Sequence, residues 1–333
     1  MSAGESKAGV RRPFFETRGV VIVPEDLTLE DWPERARRAG LTTIALHPTP
    51  KTVMDFVQSK RGRDFLDRCA ALGLETEFEL HAMCELLPRD RFEKEPDMFR
   101  MSRGGERTPD SNLCVHSRPA LDIVAENVVA IAKVLRPTTS RYFYWGDDGK
   151  PWCRCPKCRE FCESDQALFL ENRMLEALRE GDPKAQLAHL AYANTLKPPR
   201  RVAPQPGIFL EFAPIKRRWD VPLAAPDIPE NRRNLELLDA HLRLFSPDTA
   251  QVLEYWLDCS LFSKWNRQFP VKVPWAPEVF AEDLDTYGGR GIRHITTFAV
   301  QIDVEYVARY GDPPLDEYGA LLARWPQVAG PER

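Results

Sequence analysis

No run of about eighteen apolar residues occurs in this chain, so no membrane-spanning helix is expected. The amino terminus, MSAGESKAGVRRPFF, holds no apolar stretch of signal-peptide length, which points to a cytoplasmic protein. A basic excess is also missing. Lys and Arg number 46 against 50 Asp and Glu, and the net charge of −4 argues against a general nucleic-acid binder. No Gly-rich phosphate fingerprint follows the first β-rich run, which counts against a doubly wound dinucleotide-binding sheet. Internal repeats, low-complexity tracts and linkers are absent as well. The 333 residues are therefore read as one domain, with a core over about residues 17–325.

What is present is an alternation of short β-rich runs with helical stretches, the pattern of a parallel sheet covered by helices. Eight runs qualify as strands: Gly19–Pro24, Thr42–His47, Glu75–His81, Tyr142–Asp147, Gln186–Tyr192, Ile208–Ala213, Gln251–Asp258 and His294–Val300. Helices are expected between most of them, over Val53–Leu72, Leu121–Leu135, Gln166–Glu180, Asn231–Phe245 and Glu278–Tyr287. Eight strands in this length predict a single α/β domain, a (β/α)8 TIM barrel. Four connections are long, over residues 82–119, 148–165, 193–207 and 214–229. Each follows a strand, so all four gather at the C-terminal face of the barrel, where long loops are usually functional.

The densest chemistry lies in RYFYWGDDGKPWCRCPKCREFC, residues 141–162. An aromatic strand there delivers Asp147 and Asp148, and a polar loop then holds Cys153, Cys155, Cys158 and Cys162. Reading the other strand ends gives Glu25, His47, His81, Tyr192, Asn194, Glu211, Glu254, Asp258, Gln301 and Asp303, with Trp145, Trp152, Tyr255, Trp256 and Phe298 beside them. Acids next to aromatic platforms suit a sugar, since glycoside hydrolysis commonly needs two carboxyl groups around the scissile bond. Each acid also has an ordinary structural explanation. Asp-Asp-Gly is turn chemistry, and Glu211 and Glu254, inside apolar strands, could serve in buried ion pairs. Glu77, Glu79 and His81 share one strand face that could line the lumen, whereas His189 sits mid-strand as a core histidine.

In a cytoplasmic protein eight cysteines are more often thiols or metal ligands than a disulfide frame. C-x-C-x-x-C followed by x-x-x-C offers four thiolates, enough for tetrahedral structural zinc. Cys84, Cys114 and His116, in the preceding long loop, could replace Cys162 as the fourth ligand.

At YFYWGDDGKPWCRCPKC the chain resembles a domain-of-unknown-function family grouped with glycoside hydrolase TIM barrels and common in bacterial polysaccharide-degrading proteins. The family motif is a strand ending in an acidic or amide pair, followed by Trp-Cys-x-Cys-x-x-Cys, here Asp147-Asp148 and then Trp152-Cys153-Arg154-Cys155 with Cys158. Ala191-Tyr192 followed by Pro198-Pro199, and Tyr255-Trp256, look similar as well, so that the resemblance spans roughly residues 40–300. More distantly, the acid pair after strand four is similar to that of β-hexosaminidases. Their second acid protonates the leaving group and their first orients the substrate's acetamido group. The resemblance implies Asp148 as acid and Asp147 as orienting residue, although position 148 carries Asp where those enzymes carry Glu.

The expectation is a glycoside hydrolase-like enzyme acting on a small-molecule or oligosaccharide substrate. Asp148 is the general acid, its pKa raised by burial beside Trp145 and by the charge of Asp147. Glu254 or Glu211 is the second carboxylate. His81, Trp145, Tyr192, Asn194, Trp256 and Asp258 are substrate contacts. The alternatives are a catalytically silent carbohydrate- or metabolite-binding barrel and a metalloenzyme using the cysteine loop.

Overall fold

A computed structural model of the protein describes residues 13–326. Eight parallel strands form a closed barrel in sequence order. They are β1 (Thr17–Ile22), β2 (Thr43–Leu46), β3 (Glu75–His81), β4 (Arg141–Trp145), β5 (Gln186–Ala191), β6 (Ile208–Phe212), β7 (Gln251–Glu254) and β8 (His294–Phe298). Closure is made by β1 against β8, with Thr17 opposite His294 and Val21 opposite Phe298. The fold is the (β/α)8 barrel that the alternating pattern predicts.

Alternation along each strand sorts its side chains into two environments. In β7, Val252 joins the large apolar layer between sheet and helices, whereas Leu253 joins Val21, Ala45, Phe143, Ala188 and Phe209 inside the barrel. The deeper lumen is polar. Glu77, Glu79 and Glu211 are fully buried there with Gln251. Gln251 Nε2 lies 3.2 Å from Glu79 Oε1 and 3.3 Å from Glu211 Oε1, while the Arg141 guanidinium stacks 3.8 Å over the Phe209 ring. Burial raises the pKa of both Glu79 and Glu211, and in Glu79 the repulsion from Glu211 adds to it.

The helices follow the apolar stripes with one instructive difference. The stretch expected as one helix over Val53–Leu72 is two, Pro50–Val57 and Lys60–Ala71. Ser59 caps the second, its Oγ accepting from Gly62 N at 3.0 Å. Gly62 sits so close to the first helix that a Cβ there would lie 2.0 Å from the Phe56 carbonyl oxygen. Two further helices, Val304–Tyr310 and Leu315–Arg324, complete the outer layer. The second packs onto β1, where Tyr318 donates its hydroxyl to Gly19 O at 2.9 Å.

Candidate active site

A cup of about 340 Å³ opens at the C-terminal ends of the strands. Its aromatic lining is Trp145, Tyr192, Tyr255 and Phe298, joined at the rim by Trp265, which is 67% exposed. Its polar lining is His47, His81, Asp148, Asp258, Ser260 and Gln301.

The two carboxylates that face this cup differ in environment. Asp148 stands on the lip with 64% of its side chain exposed, its Oδ1 4.0 Å from His81 Nε2. The burial that sequence reading assigns to it is therefore absent from the free protein. Asp258 is buried at the N-terminus of the short helix Cys259–Phe262, where its Oδ1 accepts from Ser260 N at 3.0 Å and Ser260 Oγ at 2.6 Å. Burial pushes its pKa up to about 6, against the lowering effect of those hydrogen bonds.

Asp147 turns away from Asp148 and becomes part of the scaffold. It accepts from Arg89 Nη2 at 3.0 Å and Asn112 N at 2.6 Å, while its own N–H donates to Asn112 Oδ1 at 2.9 Å. Gly146 just before it makes room for Trp152, since a Cβ there would lie 2.8 Å from the indole. Asn194 has a similar bracing position, with Nδ2 donating to Gly149 O at 3.0 Å and Lys150 O at 2.9 Å.

The acids proposed from strands six and seven lie outside the cup. Glu211 points into the polar lumen and accepts from Trp145 Nε1 at 2.8 Å. Glu254 faces the helices, because Leu253 and Tyr255 on either side of it take the inward positions. It is fully buried, accepts from Arg217 Nη1 at 2.9 Å and from the Tyr287 hydroxyl, and has its pKa pushed up to about 7 by burial. Asp283 joins the same ion-pair cluster, 2.9 Å from Arg217 Nη1. Trp256 faces outward as well, donating to Asp283 Oδ2 at 3.0 Å and packing on Phe280. Sequence reading missed Trp265, whose only signal is a tryptophan in the polar loop after strand seven.

Next to the lip, Cys114, Cys153, Cys155 and Cys158 are all buried, with their sulfurs within 4.8 Å of one another. Such a group could hold a metal ion. Cys114, from the loop after β3, takes the place expected of Cys162. Cys162 instead precedes the helix Glu163–Gly181 and donates its thiol to Asp165 Oδ2 at 3.0 Å. Cys114 Sγ lies 3.7 Å from both Cys155 Sγ and Cys158 Sγ, much too far for disulfides, and all eight cysteines are free. Met101 N donates to Cys153 Sγ at 3.3 Å, and His116 Nδ1 lies 3.3 Å from Cys158 Sγ.

Residues 14–238 match the family described as Domain of unknown function (DUF4838), and the chain belongs to that family. Among solved structures it is similar to a Glycoside Hydrolase Family 20 beta-N-acetylglucosaminidase, with a TM-score of 0.52 at 12% identity over 93% of this chain and 69% of that one. It is also similar to a chitinase from Rhizomucor miehei, with a TM-score of 0.51 at 10% identity over 91% of this chain and 99% of that one. At these identities the likeness establishes the fold alone, the closed eight-stranded barrel. No curated protein matches the sequence. No helix among the described residues is long and apolar enough to cross a membrane.

Proposed function

We propose that the cup binds a glycoside and hydrolyses it with Asp148 and Asp258. The observation that carries this reading is that these two carboxylates line one aromatic cavity. Asp148 donates a proton to the leaving oxygen. It is open to water in the free protein, with 64% of its side chain exposed. Asp258, with a pKa of about 6, is ionised at neutral pH. It stabilises or attacks the oxocarbenium-like centre, or activates water. Trp145 and Tyr255 offer faces for the ring, and Trp265 extends that surface at the rim.

Zinc is our choice for the cysteine group. Four thiolates at about 2.3 Å from a tetrahedral zinc stand about 3.8 Å apart, close to the separations of Cys114 from Cys155 and Cys158 at 3.7 Å. The Met101 amide donating to Cys153 is the kind of outer support that metal-bound thiolates receive. Held there, the ion supplies bracing: it ties the loop after β3 to the loop that carries Asp148.

The test is hydrolysis of paired glycosides with poor and good leaving groups. Asp148→Asn should lose on the order of 10²–10⁴-fold on a poor leaving group and much less on a nitrophenyl glycoside, which needs little protonation. Asp258→Asn should lose activity on both. The opposite pattern exchanges the two roles. Full turnover by both variants rejects the assignment, and a wild type that binds sugars without cleaving any leaves a carbohydrate-binding barrel.

A further inference from the structure

His47 and His81 follow β2 and end β3 side by side, with ring centroids 5.6 Å apart, and both line the cup. Each ring meets a backbone carbonyl through Nδ1: His47 reaches Glu79 O at 2.7 Å and His81 reaches Gly146 O at 2.6 Å. A carbonyl oxygen only accepts, so Nδ1 must carry the proton in both rings. A neutral imidazole has one donor and one acceptor. Nε2 is therefore the acceptor in each ring. Burial keeps both rings neutral, lowering the pKa of His47 to about 3 and that of His81 as well. Neither Nε2 has a donor among the described residues. The Asp148 carboxylate, itself an acceptor, lies 4.0 Å from His81 Nε2.

Asp148 and Asp258 add further acceptors, the other side-chain donors lining the cup, such as the Tyr255 hydroxyl and the Gln301 amide, are neutral, and no lysine or arginine among the described residues lines the cavity. A carboxylate or sulfate brought in would meet two carboxylates, two lone pairs and no cation, an uncompensated burial of charge. A sugar hydroxyl meets a ready acceptor.

We propose that the cup selects an uncharged sugar, with His47 Nε2 and His81 Nε2 receiving two hydroxyls of one ring, and that it excludes sugars bearing a carboxylate or sulfate. This deepens the glycoside reading and rests on it.

The experiment is equilibrium binding by titration calorimetry. The probes are methyl glycosides of neutral hexoses and N-acetylhexosamines, each hexoside paired with its uronate. The wild type should bind at least one neutral probe, and the matching uronate at least tenfold more weakly. In His47→Asn and His81→Asn the amide can still donate to the Glu79 or Gly146 carbonyl, but the acceptor facing the cup is gone. Each should bind the neutral probe about tenfold more weakly with an unchanged melting temperature. Uronate binding as tight as that of its neutral partner overturns the proposal, as does full affinity in both Asn variants or no neutral binding by the wild type. If the Asn variants do not fold, the neutral-against-uronate comparison on the wild type still decides. Neutral binding that follows this pattern with no hydrolysis leaves this inference standing and removes only the catalytic reading.

Discussion

Asp147 and Arg89 join the loop after β4 to the loop after β3 through a 3.0 Å ion pair that is largely shielded from water. Asp148, one residue on, has 64% of its side chain exposed, with His81 Nε2 4.0 Å away. Two adjacent aspartates thus divide into a brace and a water-exposed carboxylate at the lip of the cup. Asp147→Ala leaves Arg89 and the Asn112 amide without their acceptor and should cost about 1–3 kcal/mol. Asp148→Ala should leave stability within about 0.5 kcal/mol of wild type, as surface changes do. Urea unfolding of the two variants checks this, and equal losses would refute the division.

Asp258 sets a pH dependence of stability. Folded, it holds its proton to about pH 6; unfolded, it releases it near the ordinary carboxylate value of 3.8. Between those values the folded state binds more protons, so its contribution is fully present below about pH 4 and lost as pH rises through about 6. The loss is roughly 3 kcal/mol for a shift of about two units. Asp26 and Glu254, both raised to about 7, extend the decline toward neutrality. Asp258→Asn can still accept from Ser260 and should flatten the lower part of that slope. Unfolding midpoints between pH 4 and 8 measure it, and identical slopes in both proteins would contradict the assignment.

Purified protein should carry one zinc per chain by elemental analysis, with zinc–sulfur distances of about 2.3 Å by X-ray absorption. Cys114→Ser should lose the metal, whereas Cys162→Ser should keep it, since Cys162 belongs to a helix start bonded to Asp165. Retention by Cys114→Ser together with loss by Cys162→Ser would restore the ligand set expected from sequence.

The barrel was legible because eight apolar β-rich runs are separated, between most of them, by helical stripes, and every strand was located to within a few residues of its observed bounds. The cup was legible in part. Strand ends pointed to His47, His81, Asp148, Tyr192 and Asp258, all of which line it. Glu254 and Trp256 were placed on the wrong face because β7 is buried on both sides, so its apolar residues do not reveal which of them point inward. The fourth cysteine was ambiguous because spacing along one loop favours Cys162, whereas Cys114 reaches the group through a fold contact 44 residues from Cys158. The split of one helix into two went unseen because the new start is marked by a single residue, Ser59, whose hydroxyl caps the second helix at Gly62 N, while the apolar stripe continues on both sides.

The closure of β1 on β8 bears on where this protein can be divided. The matched family region ends at residue 238, within the helix Pro229–Leu242, before β7 and β8 begin. A chain cut there would keep Asp148 and both cup histidines yet lose Tyr255, Asp258, Trp265 and Phe298. It would also present β1 and β6 as raw edges of an opened sheet, inviting strand-to-strand association between molecules. The smallest unit that keeps a closed barrel therefore runs well past the stretch by which kinship is recognised, and this chain trimmed to that stretch should be expected to precipitate rather than report on the cup.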